Sequence, residues 1–308
     1  MISSIACLSS SMGKQRIVFG GGPVGGTFQT FANAIQMYEP VKEIEGFVVK
    51  AQSSAGSIEN LRKVESGKHD FSIVYSGHVY LGQNGHLKND TKKYENVMTV
   101  AHLYSAPAQL VAKKGLGIRN VKDLIGKRVG VGNAGSGAFA NCEMFFTHLG
   151  IWDKIERNAL GYNDAANAFG NNQLDAFWLF TAFPSSAVIM AAQTNDIDLI
   201  DLGQEARGSG YLMKYPYFKE LSIPRNTYKG VSINTDSFSD SALWVANSNV
   251  PDDVVYELLS KVFTDEGFVY MIGQKKNFDE MRFVDRVKDM VNPIHPGAVK
   301  FWREKGIL

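Results

Sequence analysis

The stretch RIVFGGGPVGGTFQTFANAIQMY, residues 16–38, decides the fold of this chain. Its apolar start predicts a short buried strand, and the five glycines that follow predict a tight loop. Large apolar residues from Phe28 to Tyr38 then recur at helical spacing, so we expect a helix after the loop. The first turn of a helix, here near Thr27, has unpaired N–H groups with partial positive charge. The sequence therefore predicts an anion-binding turn at this position.

The same construction returns at residues 127–146 as KRVGVGNAGSGAFANCEMFF. Between the two stretches, residues 47–57 and 71–77 each combine a short apolar run with Gly and Ser. Alternation of strands and helices predicts a mostly parallel sheet, in which ligands bind beyond the carboxyl ends of the strands. We therefore expect an α/β fold of two lobes, each of which presents a glycine-rich loop to one shared cleft.

Composition narrows the class of protein. The 308 residues include 32 Lys and Arg against 31 Asp and Glu, a formal charge of +1 without a basic cluster, which argues against nucleic-acid binding. No run approaches the roughly 18 consecutive apolar residues of a membrane span. Residues 1–15 are predicted to be an N-terminal tail or signal remnant. The tetrapeptide at residues 4–7 faintly resembles a lipid-attachment site at Cys7, although a disordered tail is the preferred interpretation.

The chain is predicted to cross between lobes twice, which makes a hinge. The first crossing is placed at the polar residues 113–120, and a strand at residues 242–246 returns to the first lobe. The predicted boundaries are residues 16–112 with 239–308 for lobe 1, and residues 113–238 for lobe 2.

Three local predictions follow from turn and capping signals. Pro107 separates two predicted strands at residues 97–104 and 109–112. Residues 211–240, rich in Tyr, Pro, Ser and Asn, are predicted to be mostly irregular. Ser57 is predicted to cap the helix that follows it.

Two glycine patterns match the dinucleotide fingerprint G-x-G-x-x-G, at Gly20 and at Gly130. A nicotinamide site also needs an acidic residue at the end of the second strand, where this chain has Lys50, and Pro23 interrupts the first pattern. A nucleotide-dependent oxidoreductase is therefore kept as an alternative from another class.

Catalytic machinery is not predicted. The six histidines are scattered, and the sequence contains neither an HExxH nor a CxxC motif. It also contains no G-x-S-x-G elbow. We therefore expect no metal, no cofactor and no catalytic residue. His295 is predicted to lie in a local turn. Hydroxyl groups at successive loop tips describe a polar cleft suited to binding rather than turnover: Thr27, Ser53, Ser54, Ser57, Ser76, Ser136 and Thr181.

Five blocks in order resemble the TAXI family of TRAP-associated extracytoplasmic substrate-binding proteins. They are VFGGGPVGGTF, QSSAGSIENLR, KRVGVGNAGSGA, PDDVVYELLSKVF and IHPGAVKFWREKGIL. The resemblance implies a type II periplasmic-binding-protein-like fold, with two α/β lobes and a hinged ligand cleft. It also implies a receptor in the periplasm that binds a small carboxylate (an amino acid, keto acid or dicarboxylate) and delivers it to TRAP transporter membrane subunits.

The resemblance assigns cleft loops residue by residue: Gly22, Gly25, Gly26, Thr27 and Phe28, then Ser53, Ser54, Gly56 and Ser57, then Gly135, Ser136 and Gly137. This chain departs from the family pattern in three places. It has Tyr75-Ser76-Gly77 where Gln-Ser-Asp is common, Asn133 and Ala138 in the third loop, and Ala55 in place of a glycine.

Because no arginine lies in these loops, we expect a carboxylate held without a salt bridge, by helix N-termini and hydroxyl donors. Aromatic walls are predicted from Phe28, Tyr75, Tyr104, Phe139 and Phe180, with Tyr75 favouring a ligand that has an apolar or flat portion. Phe180 and Thr181 complete the candidate site. We interpret the chain as a monomeric, non-enzymatic solute receptor, with a sensory or surface binding protein as a further alternative.

Overall fold

The computed structural model describes residues 14–23, 26–288, 290 and 292–308. The Cys7 prediction and Gly25 lie outside these residues. The described strands are β1 (Gln15–Gly20), β2 (Phe47–Gln52), β3 (Phe71–Tyr75), β4 (Val97–Lys113), β5 (Arg128–Gly130), β6 (Glu156–Asn158), β7 (Ala176–Phe180), β8 (Ile197–Leu199), β9 (Lys219–Ile223) and β10 (Thr235–Asn247).

The described α-helices are α1 (Thr27–Met37), α2 (Glu39–Lys42), α3 (Ser57–Glu65), α4 (Ser76–Gln83), α5 (Gly137–His148), α6 (Tyr162–Gly170), α7 (Ser186–Thr194), α8 (Gly203–Gly208), α9 (Tyr211–Lys214), α10 (Asp252–Val262), α11 (Asp265–Gln274) and α12 (Pro296–Glu304). Short 3₁₀ helices lie at Val121–Leu124, Trp152–Lys154, Lys276–Arg282 and Val284–Val287. None of these helices is long and apolar enough to cross a membrane.

One mixed sheet joins the strands in the order β2-β1-β3-β10-β4-β7-β5-β6, with β8 on β4 and β9 on β10. Two parallel groups, β2-β1-β3 and β7-β5-β6, flank the antiparallel pair β4 and β10. Each parallel group has the alternating strand and helix connections that the sequence predicts. The α/β class is therefore confirmed.

The long strand β4 corrects the prediction of two strands separated by Pro107. Pairing with β10 continues through Pro107, and pairing with β7 begins at Ala108. Pro107 lacks a donor, but its carbonyl still accepts from the Thr181 N–H at 3.3 Å. The proline thus falls where the strand changes partners and costs at most one ladder bond.

The prediction that residues 211–240 are mostly irregular is also wrong. This segment contains α9, β9 and the start of β10. Strand β9 is an edge strand of sequence KELSI, of which only Ile223 is buried, and it is held by antiparallel pairing with β10. A strand with so few apolar residues has little local signature, because its partner supplies the hydrogen bonds.

Aromatic packing fixes the core beneath the first glycine loop. Phe19 on β1 contacts Phe31 on α1, Phe71 on β3 and Trp244 on β10, with ring centroids 5.4–5.9 Å apart. All four side chains are buried. Burial of rings this large anchors α1 to the sheet, so that its first turn is held at the carboxyl end of β1.

Candidate functional site

A cavity of about 260 Å³ lies where five helices begin. The N-cap residue of each borders it: Gly26 for α1, Gly56 for α3, Ser136 for α5, Gly161 for α6 and Ser185 for α7. Each helix has at least nine residues. Helix N-termini attract negative charge, so their convergence makes this cavity suited to an anion.

The start of α1 keeps its backbone donors free of side-chain caps. Gly26 makes no side-chain cap, and no acidic residue lies in the first turn. The preceding glycines have a packing role, because a Cβ at Gly21 would lie 2.4 Å from Gln29 Oε1, which accepts from the Gly22 N–H at 3.2 Å. Gly22 therefore shapes the loop but does not line the cavity.

Ser57 is not the N-cap of α3, which corrects that prediction. Gly56 caps the helix with a φ of +121°, and the Ala55 N–H donates instead to Glu59 Oε2 at 2.6 Å. Ser57 begins the helix, and its hydroxyl accepts from the Tyr75 N–H at 2.9 Å and lies 2.8 Å from His78 Nδ1. This hydroxyl joins α3 to β3 at the cavity floor. Burial lowers the pKa of His78 to about 4, so its ring is neutral near pH 7.

The two other serines of this loop lie outside the cavity lining. Ser54 Oγ donates to the Gly21 carbonyl at 3.1 Å and accepts from the Gly56 N–H at 3.1 Å, so it braces one loop against the other. Ser53 is exposed to solvent. The predicted contact of these two serines with a ligand is therefore not matched by the lining of the cavity.

Tyrosines form much of the wall. The Tyr75 hydroxyl donates to the Phe180 carbonyl at 2.7 Å, and Tyr162 donates to the same oxygen at 2.8 Å. The Phe180 side chain packs into the core against Trp178 and does not line the cavity. Tyr162 takes the wall position that the sequence assigns to Phe180.

Tyr104 is the least exposed of the three tyrosines that line the cavity, which also include Tyr75 and Tyr162. Its side chain is fully buried, and its hydroxyl has no hydrogen-bond partner among the described residues. Burial raises its pKa well above the usual tyrosine value, so the hydroxyl keeps its proton and can donate.

Lys275 is the functional residue that the sequence missed. Its ammonium donates to Thr27 Oγ1 at 2.7 Å, and burial lowers its pKa. No carboxylate among the described residues lies within ion-pair distance of it. The sequence predicts a carboxylate held without a salt bridge, whereas Lys275 places a cationic side chain at the cavity. In the sequence Lys275 resembles any lysine after a helix, and α11 brings it to the cavity by packing on α1, where Tyr270 donates to the Ala34 carbonyl at 3.2 Å.

Direct bonds join the two sides of the cleft. Thr27 Oγ1 lies 3.4 Å from Thr181 Oγ1, and Asn133 Nδ2 donates to the Ala55 carbonyl at 3.3 Å. Gly137 is the point of closest approach, since a Cβ there would lie 2.8 Å from Ser57 Cβ and from the Tyr75 ring. The cleft is therefore closed around the cavity in this structure.

The cavity brings together most of the candidate residues. Those that line it are Gly26, Thr27, Phe28, Gly56, Ser57, Tyr75, Tyr104, Asn133, Ser136, Gly137, Ala138 and Thr181. Those that do not are Gly22, Ser53, Ser54, Ser76, Gly135 and Phe180, and Gly25 lies outside the described residues. Ser76 is buried at the start of α4, where its hydroxyl accepts from Asn292 Nδ2 at 3.3 Å. Lining residues without a sequence prediction are Pro23, Ala55, Gly161, Tyr162, Asn163, Asp164, Ala182, Ser185, Ser186 and Lys275.

A second cavity, of about 830 Å³, lies between α3, α4 and α5. It borders Phe139, which packs edge-on against Trp152 and so does not form a wall of the first cavity. Its Lys88 and Glu143 form an ion pair with each other. Among the N-cap residues of the described helices, only Ser136 of α5 borders this cavity, so it lacks the convergence of N-caps found at the first cavity.

Metal chemistry has no assembled ligand set in the described part of the chain, where no three His, Cys, Asp or Glu side chains cluster. The donors that line the first cavity are instead backbone N–H groups, hydroxyls, the amides of Asn133 and Asn163, and one ammonium. This arrangement can bind and orient an anion.

Two α/β lobes with a cavity between them are typical of solute-binding proteins. Solved structures with the same fold include XAC2383 from Xanthomonas citri bound to ATP, with 10% identity, a TM-score of 0.53, and coverage of 91% of this chain and 100% of that chain. MatC from Rhodopseudomonas palustris with bound malate has 12% identity and a TM-score of 0.52, covering 95% and 98%. A structure on glutathione import via GshT in Streptococcus mutans has 11% identity and a TM-score of 0.53, covering 87% and 96%.

The family model of the NMT1-like family matches residues 19–306. The chain therefore belongs to the NMT1-like family, a family of periplasmic solute-binding proteins. The predicted periplasmic-binding-protein-like fold with two lobes is confirmed.

Proposed function

We propose that this protein is an extracytoplasmic receptor that binds a small carboxylate in the cavity between its lobes and delivers it to the membrane subunits of a TRAP-type transporter. The observation that carries the proposal is the meeting of five helix N-termini with Lys275 at one cavity. The candidate residues that line this cavity are proposed to contact the ligand.

The donor set favours a carboxylate. Each helix N-terminus stabilises a nearby negative charge by about 0.3–2 kcal/mol, and a charge-assisted bond from Lys275 adds to this. A micromolar ligand needs about 8 kcal/mol net, so several of these donors must act together. Binding of malate by MatC supports an organic acid as the type of ligand.

The size of the cavity argues against the oxidoreductase alternative. At about 260 Å³ the cavity is slightly smaller than the roughly 300–1,000 Å³ that ligand pockets span. Strand β2 also ends in Lys50-Ala51-Gln52, without the acidic residue that binds a nucleotide ribose. A small acid is the better match.

The TRAP partner, the TAXI subfamily and the monomeric state are proposed from the five sequence blocks. The lobe boundaries at residues 112 and 238 belong to the same proposal. A sensory protein would use the same cavity, and uptake of a labelled acid by cells that express this chain with TRAP membrane subunits separates transport from sensing.

The first test is thermal unfolding of refolded protein, freed of host ligands, against carboxylates, sugars and nucleotides. A ligand at about 100 times its dissociation constant adds roughly 2.7 kcal/mol of stability, so the unfolding midpoint should rise by several degrees with carboxylates. Lys275→Met should remove most of that shift, and Lys276→Met, which changes an exposed neighbour, should retain it. A shift with nucleotides alone would contradict the proposal and favour the oxidoreductase.

A further inference from the structure

We propose that the ligand is a monocarboxylate with an uncharged, apolar body, whose single negative charge is held by Lys275, Thr27 and Tyr104. This inference rests on the proposed function and specifies the class of carboxylate. It follows from what each end of the cavity offers.

The charged end of the site is built around Thr27. This side chain is 3% exposed, and its hydroxyl receives the Lys275 ammonium at 2.7 Å and lies 3.4 Å from the Thr181 hydroxyl. The cation has no acidic partner among the described residues, although it is half-buried. A partly buried ammonium of this kind is stabilised by an anion bound in front of it.

Tyr104 gives a second, independent indication of a ligand. Its side chain is 0% exposed, its hydroxyl makes no hydrogen bond among the described residues, and it lines the same cavity. A buried polar group without a partner is costly. A ligand carboxylate bound between Lys275 and Tyr104 accepts a hydrogen bond from this hydroxyl and also neutralises the Lys275 ammonium.

A second carboxylate has no cationic partner in the cavity. Lys275 is the one cationic side chain among the described lining residues, and the one acidic side chain is Asp164, in the first turn of α6. An additional negative charge would meet only the partial charges of helix N-termini, the Asp164 carboxyl or the tyrosine walls, and no second cationic side chain. Like charges repel, and a desolvated carboxylate without a partner is strongly disfavoured.

Part of the wall offers ring surface, while Asn163, Ser185 and Ser186 supply polar groups elsewhere in the lining. The hydroxyls of Tyr75 and Tyr162 are both used by the Phe180 carbonyl, at 2.7 and 2.8 Å. Phe28 packs on Tyr75 with ring centroids 5.0 Å apart, and it also lines the cavity. Rings presented in this way bind apolar or aromatic groups, so the body of the ligand should be apolar.

Matched pairs of acids test the inference by isothermal titration calorimetry. Each pair shares a body and differs in one carboxylate: 3-phenylpropionate against benzylmalonate, and hexanoate against adipate. We expect at least one monoacid to bind at least tenfold more tightly than its diacid. Equal or tighter binding of the diacids would overturn the inference while leaving the proposed function intact. Tighter binding of phenylalanine than of 3-phenylpropionate would also overturn it, because the body would then carry an ammonium.

Variants of the cavity residues test which side chains hold the negative charge of the ligand. Lys275→Met should weaken monoacid binding at least tenfold, and Tyr104→Phe should weaken it about threefold, whereas Lys276→Met should bind as the unaltered protein does. Thermal unfolding without ligand checks that each variant is folded. Unchanged affinity in Lys275→Met would overturn the inference. If no carboxylate of any kind binds, the proposed function fails together with it.

Discussion

The two glycine loops have similar sequences but different roles. The loop before α1 leaves its first turn without a side-chain cap and places Thr27 beside Lys275. In the loop before α5, the Ser136 hydroxyl accepts from the Phe139 N–H at 3.0 Å and caps its own helix. Gly137 follows and packs against Ser57 and Tyr75 across the cleft. One loop therefore offers donors to a ligand, whereas the other satisfies its own donors and brings the lobes together.

The largest effect is expected from Gly137→Ala. The added methyl group would lie 2.8 Å from Ser57 Cβ and the Tyr75 ring, so the lobes cannot close fully. We expect ligand affinity to fall about a hundredfold, a loss of about 2.7 kcal/mol, measured by calorimetry. Gly208→Ala is the control, because a Cβ there meets nothing within 4 Å. Ligand binding at unaltered strength in Gly137→Ala would show that α5 does not set closure.

Thr27→Val should weaken binding by about tenfold with little change in stability. The substitution keeps the shape of the side chain and removes the hydroxyl that links Lys275 to Thr181. Loss of one hydrogen bond to a charged group costs roughly 1.5 kcal/mol. If Thr27→Val lowered the unfolding midpoint but left ligand affinity alone, the first loop would be structural, and the contrast between the loops would fail.

Ser136→Ala should lower stability and change ligand affinity only slightly. Loss of an N-cap costs about 1 kcal/mol of stability, so the unfolding midpoint should fall by roughly 2–4 °C. Ligand affinity should change by less than about threefold, since the lost bond is internal to α5. Calorimetry and thermal unfolding on the same samples compare the two variants. If Ser136→Ala lost more ligand affinity than Thr27→Val, the roles assigned to the two glycine loops would be reversed.

Lys275 and His78 should respond to opposite ends of the pH range. Lys275 must be protonated to hold an anion, and burial lowers its pKa, so affinity should decline on the alkaline side at a lower pH than an exposed lysine would give. Titration of ligand binding from pH 7 to pH 10 measures this decline. Lys275→Arg should abolish the pH dependence, and a decline that persists in that variant would assign it to another group.

His78, which contacts Ser57, should weaken the fold on the acidic side. Its pKa is lowered from 6.5 to about 4, so the unfolded chain binds the proton more readily than the folded one. The stability it contributes is complete above about pH 6.5 and is lost as the pH falls toward 4. Thermal unfolding across this range should show a smaller decline in His78→Gln than in the unaltered protein. His69 has a similarly lowered pKa and accounts for part of the remaining decline.

Local patterns predicted the parts of the site that follow strands directly. Gly26, Thr27 and Ser136 were found because each lies at a strand-to-helix junction, where spacing and glycine content are informative. Lys275 was missed because long-range packing brings it to the cavity, and no neighbouring residue marks it. Tyr162 was missed although it begins α6 directly after Gly161, because the preceding strand β6 has the polar sequence ERN and no apolar run. The error at Ser57 has a different cause, since Gly56 and Glu59 together took over the cap. Strand β9 was missed because its pairing partner, rather than its own residues, makes it a strand.

The continuous strands β4 and β10 constrain how this protein can change in evolution. Strand β4 pairs with β10 as far as Pro107 and with β7 from Ala108, so the insertion of a single residue would shift its register and turn buried side chains outward. The loops that begin α1, α3, α5, α6 and α7 have no such constraint. New ligand preferences should therefore arise by substitutions and length changes at the helix starts, while β4 and β10 keep their length.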